Sequence, residues 1–129
     1  MSVASLLDEA TAASEAMQMS FALKGKRGKN NMFFVSEDTH PQTIALLQTR
    51  ATHIGVNIVI GDHSQVDLSK GSYCGALIQY PNTYGSIESA GESYESFTKR
   101  VHDVGGMLIC ATDLMALSKL APPNTFGAD

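Results

Sequence analysis

The chain has 129 residues, 43% of them hydrophobic and 17% charged, with 11 Gly, 4 Pro and 2 Cys. That is one ordinary soluble domain, and it excludes a disordered, collagenous or disulfide-dense chain. Nine basic against thirteen acidic residues give a net charge of −4, the wrong sign for nucleic acid. No apolar run approaches the ~18 residues of a membrane span.

The N-terminal stretch, acidic and rich in Ala, lacks the basic region of a secretory or transit signal. From Ser5 to about Leu23, apolar residues at Leu6, Ala10, Ala13, Met17 and Phe21 recur at helical steps. Ser5 is the expected N-cap, with Asp8 and Glu9 in the first turn and Gly25 as the stop. Lys24, Lys26, Arg27 and Lys29 form a basic cluster around Gly25 and Gly28, which reads as a solvated loop. Gly28-Lys29 is not a phosphate loop, because Asn30 stands where Ser or Thr is required.

Met32 to Val35 reads as a short strand, and Pro41 opens a helix carrying Ile44, Leu47, Ala51 and Ile54 and ending at Gly55. Val56 to Ile60 and Ala76 to Tyr80 are further strands, with a polar connection over 61–74 between them. Tyr94, Phe97, Val101 and Val104 mark a third helix, stopped by Gly105 and Gly106, and Met107 to Ala111 a fourth strand. Strands apolar on both faces and separated by helices predict an α/β layer with a mostly parallel sheet and flanking helices. Four strands leave two open edges, and the chain stops at Gly127-Ala128-Asp129 after Pro122-Pro123 without a closing helix. The expectation from these features is a chain cut from something larger.

Cys74 and Cys110 lie singly in or beside apolar segments, as expected of structural thiols in a reducing compartment. His53, His63 and His102 are scattered without partners at metal-ligand spacing, so no metal site is expected and all three read as surface or helix histidines.

Three groups of residues are more specific. Ser5-Leu6-Leu7-Asp8-Glu9-Ala10-Thr11-Ala12-Ala13-Ser14-Glu15-Ala16-Met17 opens the chain. His40-Pro41-Gln42-Thr43 is followed by Gln48-Thr49-Arg50-Ala51. Gln79-Tyr80-Pro81-Asn82-Thr83-Tyr84-Gly85, Ala111-Thr112-Asp113-Leu114 and Pro122-Pro123-Asn124-Thr125-Phe126-Gly127-Ala128-Asp129 complete the series. In this order they resemble the SLLDE-x-TAAAEAM, HPQT, TRA, QYP-x-T-x-G, A-x-DLLAL and PPGEFGAD elements of the glycine cleavage system P-protein family. Asn124-Thr125 departs from the family's Gly-Glu in a loop.

The resemblance implies a partial large domain of a fold-type I pyridoxal-phosphate enzyme over residues 1–129, from the N-terminal half and truncated at both ends, with Met1 corresponding to an internal Met. It implies a glycine decarboxylase that passes the aminomethyl group to the lipoyl H-protein, a complementary P-protein half, and a homo- or hetero-oligomer. The compartment would be the mitochondrial matrix in a eukaryote or the cytoplasm in a bacterium. The cofactor lysine belongs to the other half.

By positional homology the cofactor-binding candidates are His40 as the stacking ring, Asn82 near the phenolic oxygen and Asp113 on the pyridine nitrogen. Each has a plainer role: a loop hydrogen bond for His40, a turn for Asn82, and a cap on the Leu114 to Leu120 turn for Asp113. Ser5 would mark the phosphate cradle, yet Leu6 and Leu7 stand where small residues are wanted. None of Lys24, Lys26, Lys29, Lys70, Lys99 and Lys119 sits in a Schiff-base setting, so no catalytic residue is expected. Two alternatives are a structural pseudo-half that only assembles and a stand-alone binding module for a small anion or nucleotide. The latter lacks a G-x-G-x-x-G after the first strand, where Glu37-Asp38 would repel phosphate.

Overall fold

The computed structural model describes residues 6, 8–25, 29–87 and 91–129. Four strands, β1 (Met32–Ser36), β2 (Asn57–Gly61), β3 (Tyr73–Tyr80) and β4 (Met107–Thr112), alternate with helices α2 (Pro41–Ile54) and α3 (Tyr94–Asp103). Helix α1 (Glu9–Lys24) precedes them. Every strand pair is parallel, in the order β2-β1-β3-β4. From β1 the chain moves outward to β2, and from β3 it moves outward the other way to β4. Right-handed crossovers in opposite directions put their helices on opposite faces: α2 lies with α1 on one face and α3 on the other.

The core therefore has two parts. Ala13, Met17, Leu47 and Ala51 from α1 and α2 meet Phe33, Val35 and Leu77 on one face. Phe97 and Val101 from α3 meet Phe34, Ala76, Ile78 and Leu108 on the other. Strand alternation explains the assignment except at Tyr73, which lies on the face of Ala76, and Cys74, which lies on the face of Leu77. The β1–β3 register shifts between Met32 and Phe33, whose partners are Tyr73 and Gly75. The extra residue reverses which face the following side chains meet. Each large apolar side chain so buried contributes about 1.5–3 kcal/mol.

The helix boundaries have local causes. Pro41 starts α2 without losing a hydrogen bond, and Gly55, at φ 77, ends it. Ser93 caps α3 through its side chain, accepting from the Ser96 amide. The N-cap of α1 is Asp8 rather than Ser5: its carboxylate accepts from the Thr11 amide at 2.7 Å and the Thr11 hydroxyl at 3.0 Å. A carboxylate has the advantage there, because it answers both the free amides and the positive helix end. Ser5 itself lies outside the described residues. Gly25 stops α1 as expected, in an extended conformation.

Two other expectations are corrected. Strand β3 begins at Tyr73, three residues before the expected Ala76, so the polar connection is shorter and holds a single turn of 3-10 helix at Leu68–Lys70. His63 is buried, with its ring 5.4 Å from Phe97 and 5.8 Å from Tyr94. His53 is exposed on α2, whereas His102 on α3 pairs with Asp129 at 2.9 Å. Asp129 also accepts from the Leu108 amide, and Phe126 packs on Tyr80 and Tyr94, so the C-terminal segment is folded back onto α3 and β4.

The two thiols are packed away. Cys74 is fully buried and donates to the Met32 carbonyl, and burial pushes it up to about 11. Burial also pushes half-buried Cys110 up to about 12. Neither forms a thiolate near neutral pH, so both should resist alkylation by iodoacetamide in the folded chain and react once it is denatured. Fast native labelling of Cys74 or Cys110, read by mass, would contradict this packing.

Candidate functional site at the carboxyl edge of the sheet

In an open parallel sheet, ligands bind beyond the carboxyl ends of the strands, where the direction of winding reverses. Here that point lies between β1 and β3. His40 follows β1, Asn82 follows β3 and Asp113 follows β4, so all three candidates stand at this edge, as parallel crossovers require.

The two loops at the reversal are joined directly. Asp38 accepts the Thr83 amide at its carbonyl (2.8 Å) and the Asn82 side-chain amide at its carboxylate (3.3 Å). The Thr83 hydroxyl lies 3.4 Å from His40 Nδ1. The Gln79 side-chain oxygen Oε1 accepts from the His40 amide, while its Nε2 donates to the Pro81 carbonyl. His40 and Asn82 are thus brought together through Thr83 and Asp38, and Asp113 is not bonded to either.

Each candidate side chain has local work. Asn82 Oδ1 accepts from the Tyr84 amide at 3.0 Å and the Ser86 amide at 2.9 Å, holding a turn that Gly85 completes at φ 80. Asp113 Oδ1 accepts from the Met115 amide at 2.8 Å, capping the next turn. His40 is the residue before α2, exposed, with no side-chain bond to the helix amides.

Between these loops lies a cavity of about 10 Å³, lined by Ser36, Asp38, His63, Gln79, Asn82 and Tyr94. That is room for about one water, against the roughly 300–1,000 Å³ of ordinary ligand pockets. Below it, Tyr94 stacks on Tyr80 with ring centres 5.6 Å apart, and burial drives both phenols up to about 12. A larger surface groove, about 510 Å³, runs along α3 between Ser93 and His102 against Phe126. Sequence reasoning missed Asp38, Gln79 and Thr83 as the residues that join the loops. Only Gln79 and Thr83 carried a signal, as members of the Gln79 to Gly85 motif.

Among the described residues no group of three His, Cys, Asp or Glu side chains could hold a metal ion. No described helix is long and apolar enough to cross a membrane.

Four parallel strands clothed by helices, with conspicuous loops at the carboxyl edge, define the α/β layer of fold-type I pyridoxal-phosphate enzymes. A crystal structure described as glycine decarboxylase (P-protein) of the glycine cleavage system, in inhibitor-bound form, shares this architecture at TM-score 0.78. The match has 25% identity and covers 95% of this chain and 27% of that one. The family model for the glycine cleavage system P-protein matches residues 1–129. Glycine dehydrogenase (decarboxylating) of Nostoc punctiforme is 45% identical over 126 residues, covering 98% of this chain and 12% of the relative. The mitochondrial protein of the same name from Mus musculus is 45% identical over 129 residues, 100% of this chain and 12% of its own. The chain belongs to the glycine cleavage system P-protein family. It spans about an eighth of the length of these curated relatives.

The residues present do not fit pyridoxal phosphate. At the reversal point the loops are bonded to each other, and the cavity between them, about 10 Å³, is too small for a pyridine ring. At the start of α1, where a phosphate would be cradled, the Asp8 carboxylate already takes the Thr11 amide. Those hydrogen bonds hold it below the usual aspartate range. Leu6 there is partly exposed, and Leu7 lies outside the described residues. Lys24, Lys29, Lys70, Lys99 and Lys119 are all exposed, Lys70 paired with Asp67 at 3.1 Å, and Lys26 lies outside the described residues.

Proposed function

We propose that this chain is a scaffold segment of glycine decarboxylase, from the large domain of its N-terminal half, and that the cofactor lysine lies elsewhere. The match of the family model to every residue carries the reading. In the complete enzyme, pyridoxal phosphate supplies the electron sink for decarboxylating glycine, and the aminomethyl group passes to the lipoyl arm of the H-protein. This segment's part is to hold a two-faced sheet and its carboxyl-edge loops in shape beside a complementary half, as one partner in an oligomer. Without that half it does not turn over glycine. His40, Asn82 and Asp113 then act as loop and turn residues at the positions where an active half carries its cofactor contacts. The compartment follows the host, since relatives of both bacterial and mitochondrial origin match equally well.

The test is to substitute this chain for the aligned stretch of intact Nostoc punctiforme P-protein. The chimera should release carbon dioxide from glycine in the presence of H-protein, and the chain alone should release none. Glycine turnover by the chain alone would overturn the scaffold reading. A folded chimera without activity would overturn the membership of this segment in the working enzyme.

A further inference from the structure

Four large apolar side chains stand out of the carboxyl edge into solvent: Tyr84 (82% exposed), Ile87 (42%), Leu114 (79%) and Met115 (77%). Tyr84 and Ile87 lie in the loop after β3, Leu114 and Met115 in the loop after β4. These loops leave neighbouring strands side by side, since Tyr80 pairs with Thr112 and the Asp113 amide donates to the Tyr80 carbonyl. Folding of this chain gains little from Tyr84, Leu114 and Met115, because side chains this exposed bury little area. From Pro81 to Ile87 there is no charged side chain, and the exposed carboxylate of Asp113 beside Leu114 caps its own turn through the Met115 amide, so the anchors themselves offer an apolar surface.

We infer that this edge is a docking surface for the remainder of the P-protein polypeptide, with Tyr84, Leu114 and Met115 as its apolar anchors. The inference rests on the family reading above. The curated relatives are about eight times as long as this chain, and the matched solved chain nearly four times as long. The same stretch therefore exists there beside several hundred further residues. The sheet's two faces are already covered by α1, α2 and α3, and the three most exposed large apolar side chains among the described residues, Tyr84, Leu114 and Met115, stand at the carboxyl edge, ahead of Leu23 at the end of α1 (61%). Exposed aromatic and apolar anchors grouped on rigid turns, here fixed by the Asn82 and Asp113 side chains, are what a protein partner buries.

The experiment follows oxidation of the Met115 thioether by hydrogen peroxide, read by peptide mass, in the chain alone and in the chimera with intact Nostoc P-protein. Met115 should oxidise readily in the chain alone and lose that reactivity in the chimera. Leu114→Asp should leave the unfolding midpoint of the chain alone unchanged but abolish the native sedimentation of the chimera. Should the chimera not fold, a benzophenone photo-cross-linker at the position of the Nostoc protein aligned with Leu114 should capture peptides from outside the aligned stretch.

Equal oxidation of Met115 in both forms, or cross-links confined to the aligned stretch, would overturn the inference. Protection in the chain alone that grows with its concentration would assign the surface to a second copy instead. An active chimera with reactive Met115 removes the docking surface and leaves the family reading standing. An inactive, folded chimera with protected Met115 does the reverse.

Discussion

Replacing Phe97 by alanine is expected to destabilise the chain by about 3–5 kcal/mol, a large part of the roughly 5–15 kcal/mol that holds a domain folded. Phe97 is fully buried where α3 crosses the sheet, its ring 5.6 Å from Phe34 edge-on and 5.4 Å from His63. The Arg100 guanidinium lies 5.8 Å from its centre and, through Glu92 at 2.6 Å and the carbonyls of His63 and Val66, ties the β2–β3 connection to α3. Truncation leaves a void lined by strand, helix and loop, none of which can collapse into it without breaking those bonds. Urea unfolding should show the midpoint falling sharply. A change within error of the parent would mean that α3 is not packed as described.

The second large effect comes from adding one carbon. Gly75 sits in β3 opposite Met107 of β4, and a Cβ there would lie 2.8 Å from the Met107 carbonyl oxygen, 3.0 Å from Phe33 and 3.2 Å from Ser20. The nearest atom is backbone of a neighbouring strand, which cannot swing aside, so Gly75→Ala should cost about 1–3 kcal/mol from overpacking. Gly55→Ala is the useful contrast: open space surrounds it, and its penalty of about 1–2 kcal/mol comes only from its φ of 77°. Relief of the Gly75→Ala defect by Ser20→Gly or a smaller residue at Phe33 would show a side-chain clash. Persistence would place it at the Met107 carbonyl.

How much of this could be read beforehand follows the range of each signal. Pro41, Gly55 and the β-branched run of β2 act through their own backbones, so α2 and β2 appear within a residue or two of where they were expected. Strand β3 was expected three residues late, because Tyr73-Cys74-Gly75 looks like the tail of a polar loop until its neighbours on β1 and β4 are known. The N-cap of α1 went to Ser5 because its helical pattern extends ahead of Asp8, although Asp8 with Thr11 offered the stronger cap. The fold-back of Phe126 and Asp129 and the burial of His63 depend on contacts across 21 or more residues, which no local pattern carries. The same holds at the candidate site. That His40, Asn82 and Asp113 share one edge follows from parallel topology, but Asp38 joining the two loops is visible only once β1 and β3 are neighbours.

The central claim is that a P-protein segment with this fold holds no cofactor of its own. Covalent capture of pyridoxal phosphate needs a lysine amine deprotonated by burial, and the described lysines are all on the surface. The direct measurement is to mix the purified chain with pyridoxal phosphate, reduce with borohydride and weigh the product and its peptides. The account predicts no lysine labelled in stoichiometric amount; one pyridoxyl group on a single lysine of every chain would contradict it.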